Sequence, residues 1–318
     1  MSAMISNAQN REDVVLWRAL KHVREGRYVE VGANHPTVDS VSRVFYDHGW
    51  SGITVEPVPH FAALHREARP RDVLVEAAAT DSDGDSITLH VVPDTGLSTT
   101  VDSVSDHHAE VGIEHEDITV PTTTLDALLA REGLQDRDIH FLLVDVEGAE
   151  ASVLRGLDLS VWRPWVLVIE STAPNSTEQT HHQWEAGVLA AGYEYCLFDG
   201  LSRYYVSSEH ADELRADLSY PASVWDDYTT PATRQLQDTN ADLNVQVVEL
   251  SGQVNHWRSL ALSHWADAVS RDMRQQKQIA RMQTQVKKLR TEIRQLRAST
   301  SWRVTKPLRK ASSAVGRR

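Results

Sequence analysis

Arg27 to Pro57, RYVEVGANHPTVDSVSRVFYDHGWSGITVEP, is the stretch whose reading decides the fold. An apolar strand, Tyr28 to Val31, carries an acid at Glu30 and runs into Gly32 and the small-residue turn Ala33-Asn34-His35-Pro36. Apolar residues at Val38, Val41, Val44 and Phe45 predict a helix, and a second strand, Gly52 to Val55, ends on Glu56. In units of this kind ligands bind beyond the carboxyl ends of the parallel strands. The spacing from Gly32 to Glu56 sets a carboxylate where ribose hydroxyls are held.

The turn contains Gly32 but not the G-x-G-x-x-G pattern that lets a pyrophosphate settle on a helix N-terminus. Pro36 stands where the last glycine of such a turn is expected. An acid for the ribose without a cradle for phosphate suits S-adenosylmethionine better than NAD, and it disfavours a nicotinamide oxidoreductase. The plainer reading is a βαβ unit whose acids cap turns.

Further strands are expected at 72 to 79, 139 to 146, 164 to 171 and 193 to 199, with helices between them, which predicts a mostly parallel sheet covered on both faces. Ser86 to Val92 and Ile118 to Thr124 look like a pair of added strands around a polar, histidine-containing excursion. That excursion is long for a structureless connection. In YEYCLFDGLSRYYV, Asp199-Gly200 is a tight-turn signal, so the last strand should run antiparallel to its neighbour.

Charge divides the 318-residue chain unevenly. Residues 271 to 318 hold 15 of the 32 Lys and Arg but only Asp272 and Glu292 of the acids, so the front is −26 and the tail +13 within a net −13. An acidic front is a poor nucleic-acid binder, whereas a basic tail can meet an anionic membrane surface or an acidic partner. Cys196 is the one cysteine, which excludes disulfide frameworks and thiolate zinc sites. With no apolar run of about 18 residues, a cytoplasmic protein is expected, with the tail reaching the inner face of the membrane.

Beyond about Val224 the pattern becomes one long helical region. Ile279, Met282, Val286, Leu289, Ile293 and Leu296 fall at heptad a and d positions, a seam that needs another copy or a partner helix. The expected map is a catalytic domain over 1 to 230, a helical or coiled-coil region over 231 to 298, and a basic, disordered tail over 299 to 318.

The strand HFLLVDV delivers Asp145 and Glu147 to the same sheet edge as Glu30 and Glu56, and Gly148-Ala149-Glu150 opens a helix. An acid within so apolar a strand needs a reason to be there. The alternative is that Glu147 and Glu150 simply favour the helix N-terminus.

Taken together, YVEVGANHP, GWSGITVEPVP, RPRDVLVEAAATDSDG, VPTTTLDALL, FLLVDVEGAEASVLRGLDL, RPWVLVIEST and DGLSRYYV resemble, in order, the FkbM family of S-adenosylmethionine-dependent methyltransferases. The resemblance covers roughly residues 10 to 230. It implies a Rossmann-like class I methyltransferase, a seven-stranded sheet with its last strand antiparallel. Carried over, Glu30, Gly32 and Asn34 match the cofactor turn and Glu56 the ribose acid. Asp81 matches the approach to the adenine, and Asp145 lies where the fourth strand meets the methyl donor. Pro36 departs from the family turn.

Transfer to a hydroxyl requires alignment of donor and acceptor and removal of a proton. Asp145 and Glu147 are the first candidates for the base, and His35 is the third. Asp145, Glu147 and Glu170 are also hard oxygen ligands suited to Mg²⁺. The pairs His107-His108 and His181-His182 read as polar surface residues, with ligands or bases as the alternative. STSWRVTKPLRK, Ser299 to Lys310, resembles a tail that follows coiled coils in bacterial glycan-assembly glycosyltransferases. The expected function is therefore O-methylation of a sugar hydroxyl in a cell-surface glycan or its lipid-linked precursor. A polyketide or other small-molecule acceptor, and a noncatalytic scaffold in glycan assembly, are the alternatives.

Overall fold

A seven-stranded sheet grows outward from strands that are buried on both faces. In the computed structural model, which describes residues 4 to 93 and 95 to 309, the strands are β1 (Arg27–Val31), β2 (Ser51–Val55), β3 (Val73–Val75), β4 (Phe141–Val144), β5 (Val166–Glu170), β6 (Tyr193–Phe198) and β7 (Ser202–Ser207). Their order is β6-β7-β5-β4-β1-β2-β3. All pairs from β5 to β3 are parallel, while β7 is antiparallel to both β5 and β6. This is the class I methyltransferase arrangement that the resemblance implied.

Side chains alternate between two cores, as period-two geometry requires. Val29, Val31, Leu142, Val144, Leu167 and Ile169 pack on one face, and Tyr28, Phe141, Leu143, Val166 and Val168 on the other. Double coverage is why the central strands are almost uninterrupted apolar runs. Register then decides what meets at the edge. Val31 pairs with Val55 and with Val144, and Val144 pairs with Ile169. The next residues along, Gly32, Glu56, Asp145 and Glu170, are therefore brought side by side.

Two expectations need correction. The helix after the glycine turn is only Arg43–Asp47, and Val38 is 57% exposed. Pro36 and the left-handed Asp39 (φ 52°) keep the preceding residues out of the helical conformation. The expected strand over 72 to 79 is divided, since β3 ends at Val75 and Ala78–Ala79 pairs instead with Glu116–Thr123. The excursion, too long for a structureless connection, contains helix Asp102–Glu110 between Ser86–Val91 and Glu116–Thr123, which pair antiparallel as the expected added strands.

The chain divides into two compact units, Met1–Leu236 and Gln237–Arg318. Helix Pro231–Ala298 spans 68 residues and buries none of them. Within the segment expected to be disordered, Thr300–Val304 is helical, with the Ser299 side chain accepting from the Trp302 N–H. The basic residues Lys310, Arg317 and Arg318 lie outside the described residues. Among the described residues no helix is long and apolar enough to cross a membrane.

Candidate active site

Gly32 is the residue on which the edge depends. Its φ is +80°, and a Cβ there would lie 1.7 Å from the Asp145 carbonyl oxygen, so β1 and β4 can close on one another only around a glycine. The N–H groups of Gly32 and Ala33 donate to the Val55 carbonyl at 3.0 and 3.1 Å. Asn34, also left-handed, donates its backbone N–H to Glu56 Oε2 at 2.7 Å, and Val58 N–H donates to Glu56 Oε1 at 2.7 Å. Burial pushes the Glu56 carboxyl up to about 7, outweighing those two bonds.

These elements wall a cleft of about 970 Å³, counting its open mouth. Glu30, Gly32, Asn34, Glu56, Asp145 and Glu147 all line it. Phe61, Ala78 and Leu89 give it an apolar side. The added strands and the loop between them also contribute, through Leu89 and Gly96. Thr99 ties that insertion to the site by donating its hydroxyl to the Glu147 carbonyl at 2.8 Å.

Asp145, Glu147 and Glu170 converge, each with a carboxylate oxygen within 4.8 Å of the others. Burial pushes Glu147 up to about 9, reinforced by Asp145 and Glu150. Burial pushes Glu170 up to about 12, reinforced first by Asp145. Asp145 is also raised by burial, while a hydrogen bond from Glu170 works the other way. Glu170 Oε2 is buried without a hydrogen-bond partner. Three carboxylates so close cannot all stay ionised unless a cation joins them.

The remaining sequence candidates are placed differently. Asp81 is outside the cleft and pairs with Arg155 at 2.8 Å, which holds its carboxyl below the usual range. His35 does not line the cleft, and its Nδ1 accepts the N–H groups of Thr37 and Val38 at 3.1 and 3.0 Å. A neutral ring with that lone pair engaged carries its proton on Nε2, a poor arrangement for a base. Neither His107-His108 nor His181-His182 lines the cleft. Glu150 accepts from Val146 N–H and Gly148 N–H at 3.3 and 3.0 Å, which supports its reading as a turn and helix cap.

Arg69 and Ser42 are the residues the sequence reading missed. The fully buried Arg69 donates to the Pro36 carbonyl, to Ser40 Oγ at 2.6 Å and to Ser42 Oγ at 2.7 Å, with Asp72 3.6 Å away. Ser42 in turn donates to Glu30 Oε2 at 2.5 Å. Glu30 thus anchors the loop that follows the turn. The one available signal was the basic residue in the matched stretch RPRDVLVEAAATDSDG.

The strand order, the glycine turn and the acid ending β2 define a class I methyltransferase. The family model for the methyltransferase FkbM domain matches residues 30–195, and the chain belongs to that family. The family implies S-adenosylmethionine as methyl donor. No curated protein matches the chain. Among solved structures it is similar to a TehB-like SAM-dependent methyltransferase from Corynebacterium glutamicum, at 9% identity, over 61% of this chain and 86% of that one, with a TM-score of 0.34. A likeness that distant carries no weight for activity.

Proposed function

We propose that this protein transfers the methyl group of S-adenosylmethionine to a hydroxyl oxygen, on a sugar of a cell-surface glycan or its lipid-linked precursor. The observation that carries the reading is the convergence of Asp145, Glu147 and Glu170 next to Glu56 and the Gly32 turn. The residues present fit the donor. Each Glu56 oxygen takes one backbone N–H, which leaves acceptor capacity for ribose hydroxyls. The buried Asn34 Oδ1 has no partner and is available to a donor group. Phe61, Ala78 and Leu89 offer an apolar wall to a flat ring.

When bound, the donor supplies an electrophilic methyl group on a positively charged sulfur. An ionised carboxylate at the cleft attracts that charge and so aids binding of the donor. Burial raises all three carboxyls, and at Asp145 alone a hydrogen bond, from Glu170, works against that rise. Asp145 is therefore the member suited to take the hydroxyl proton, with Glu147 positioning the acceptor. A second reading rests on the unpartnered Glu170 Oε2: a divalent cation such as Mg²⁺ held by the three carboxylates would ionise them and bind the acceptor oxygen.

The sugar acceptor is supported by the resemblance of Ser299 to Lys310 to tails of glycan-assembly glycosyltransferases. Incubation with methyl-labelled donor and glycan precursors, followed by mass analysis, tests it. The expected product is a sugar heavier by one methyl on oxygen. Transfer to nitrogen or carbon, or to no glycan precursor while the donor still binds, rejects the acceptor assignment.

A further inference from the structure

We propose that helix Pro231–Ala298 pairs with the same helix of a second copy as a parallel, two-stranded coiled coil. At about 1.5 Å per residue, its 68 residues form a rod of about 100 Å with no buried side chain. Ile279, Met282, Val286, Leu289, Ile293 and Leu296 are 44% to 59% exposed. So large an apolar stripe requires cover.

What covers it is read from the residue types. In the C-terminal seam the a positions are Ile279, Val286 and Ile293, and the d positions are Met282, Leu289 and Leu296. An equivalent seam runs earlier along the helix, with Asn240, Val247, Val254 and Ala261 at a and Leu236, Leu243, Leu250 and Trp257 at d. β-branched residues at a with leucine at d favour two parallel strands, and one asparagine at an a position fixes register and number. Ala261 and Ile279 are 18 residues apart, one heptad and one 11-residue step. A four-residue insertion of that kind locally unwinds the supercoil without losing the stripe.

Flanking charges choose the direction. In a parallel pair, Glu292 at g faces Arg297 at e of the other helix, and Gln285 faces Arg290. In an antiparallel pair the e positions face each other, which opposes arginines from Arg290 and Arg297. The parallel arrangement gives an assembly that carries two catalytic units.

Sedimentation of the full-length protein at micromolar concentration should give twice the 35.6 kDa chain mass. Leu250→Asp with Leu289→Asp should return it to the single-chain mass. Mild oxidation of a Cys196→Ser, Leu296→Cys variant should give a disulfide-linked pair, because equivalent positions meet only when the helices are parallel and in register. A wild-type monomer, even one that binds anionic vesicles or a different helix, overturns the proposal. So does a trimer or tetramer, or a dimer in which Leu296→Cys fails to cross-link.

Discussion

Ser42 Oγ donates to Glu30 across 2.5 Å while accepting from Arg69 at 2.7 Å, so one serine hydroxyl connects the turn acid to a buried guanidinium. The consequence is that Glu30 shapes the cleft by holding the loop behind it. Ser42→Ala leaves both charged partners short of a bond, a loss of about 1.5–3 kcal/mol. For a domain of this size the melting temperature should fall by about 2–4 °C per kcal/mol. An unchanged melting curve would show that the connection does not hold the loop.

Glu147 makes the stability of the ligand-free protein depend on pH. Its carboxyl is raised to about 9, so the folded state retains a proton that the unfolded chain has released. The stabilisation is complete below the ordinary carboxyl range and is lost as pH rises toward 9. Glu56 and Glu150, each raised to about 7 by burial, act with the same sign. Melting temperature should therefore fall from pH 5 to pH 9. Glu147→Gln should flatten that slope and raise the value at pH 8 by roughly 2–4 °C; a parallel slope in the variant contradicts the assignment.

On the proposed role of Asp145 as proton acceptor, Asp145→Asn should lower turnover by about 10²–10⁴-fold, with donor affinity changed only slightly. Treatment with a chelator should leave wild-type turnover intact. Loss of turnover that Mg²⁺ restores would transfer the role of the three carboxylates to metal binding.

Asp81, by contrast, lies outside the cleft in a surface pair with Arg155. Asp81→Asn should leave donor affinity unchanged and alter stability by no more than about 1 kcal/mol. A several-fold loss of affinity in calorimetry would return Asp81 to the adenine site.

The contrast between Asp81 and Glu56 shows what sequence can carry. Glu56 was legible because it ends a strand buried on both faces, whose period and length fix where the next residue emerges. Asp145 and Glu170 were legible for the same reason, through the register of β4 and β5. Asp81 follows the divided stretch from Val73 to Ala79, where one apolar run serves two sheets and the direction of the chain beyond it cannot be read from period alone. Arg69 was not legible because its partners, Pro36, Ser40, Ser42 and Asp72, share no helix face or strand. Arg69 bonds within the non-helical run from Asn34 to Ser42, where Pro36 and Asp39 interrupt the helix expected from Val38 and Val41.

Calorimetric titration with S-adenosylhomocysteine, of the wild type beside Glu56→Ala, tests the central claim most directly. Charge-assisted bonds of the kind proposed between Glu56 and the ribose are worth roughly 1.5–3 kcal/mol, so the wild type should bind at one site per chain and the variant about tenfold or more weakly, with its fold intact. Absence of binding to the wild type, or equal affinity in the two proteins, would contradict the account.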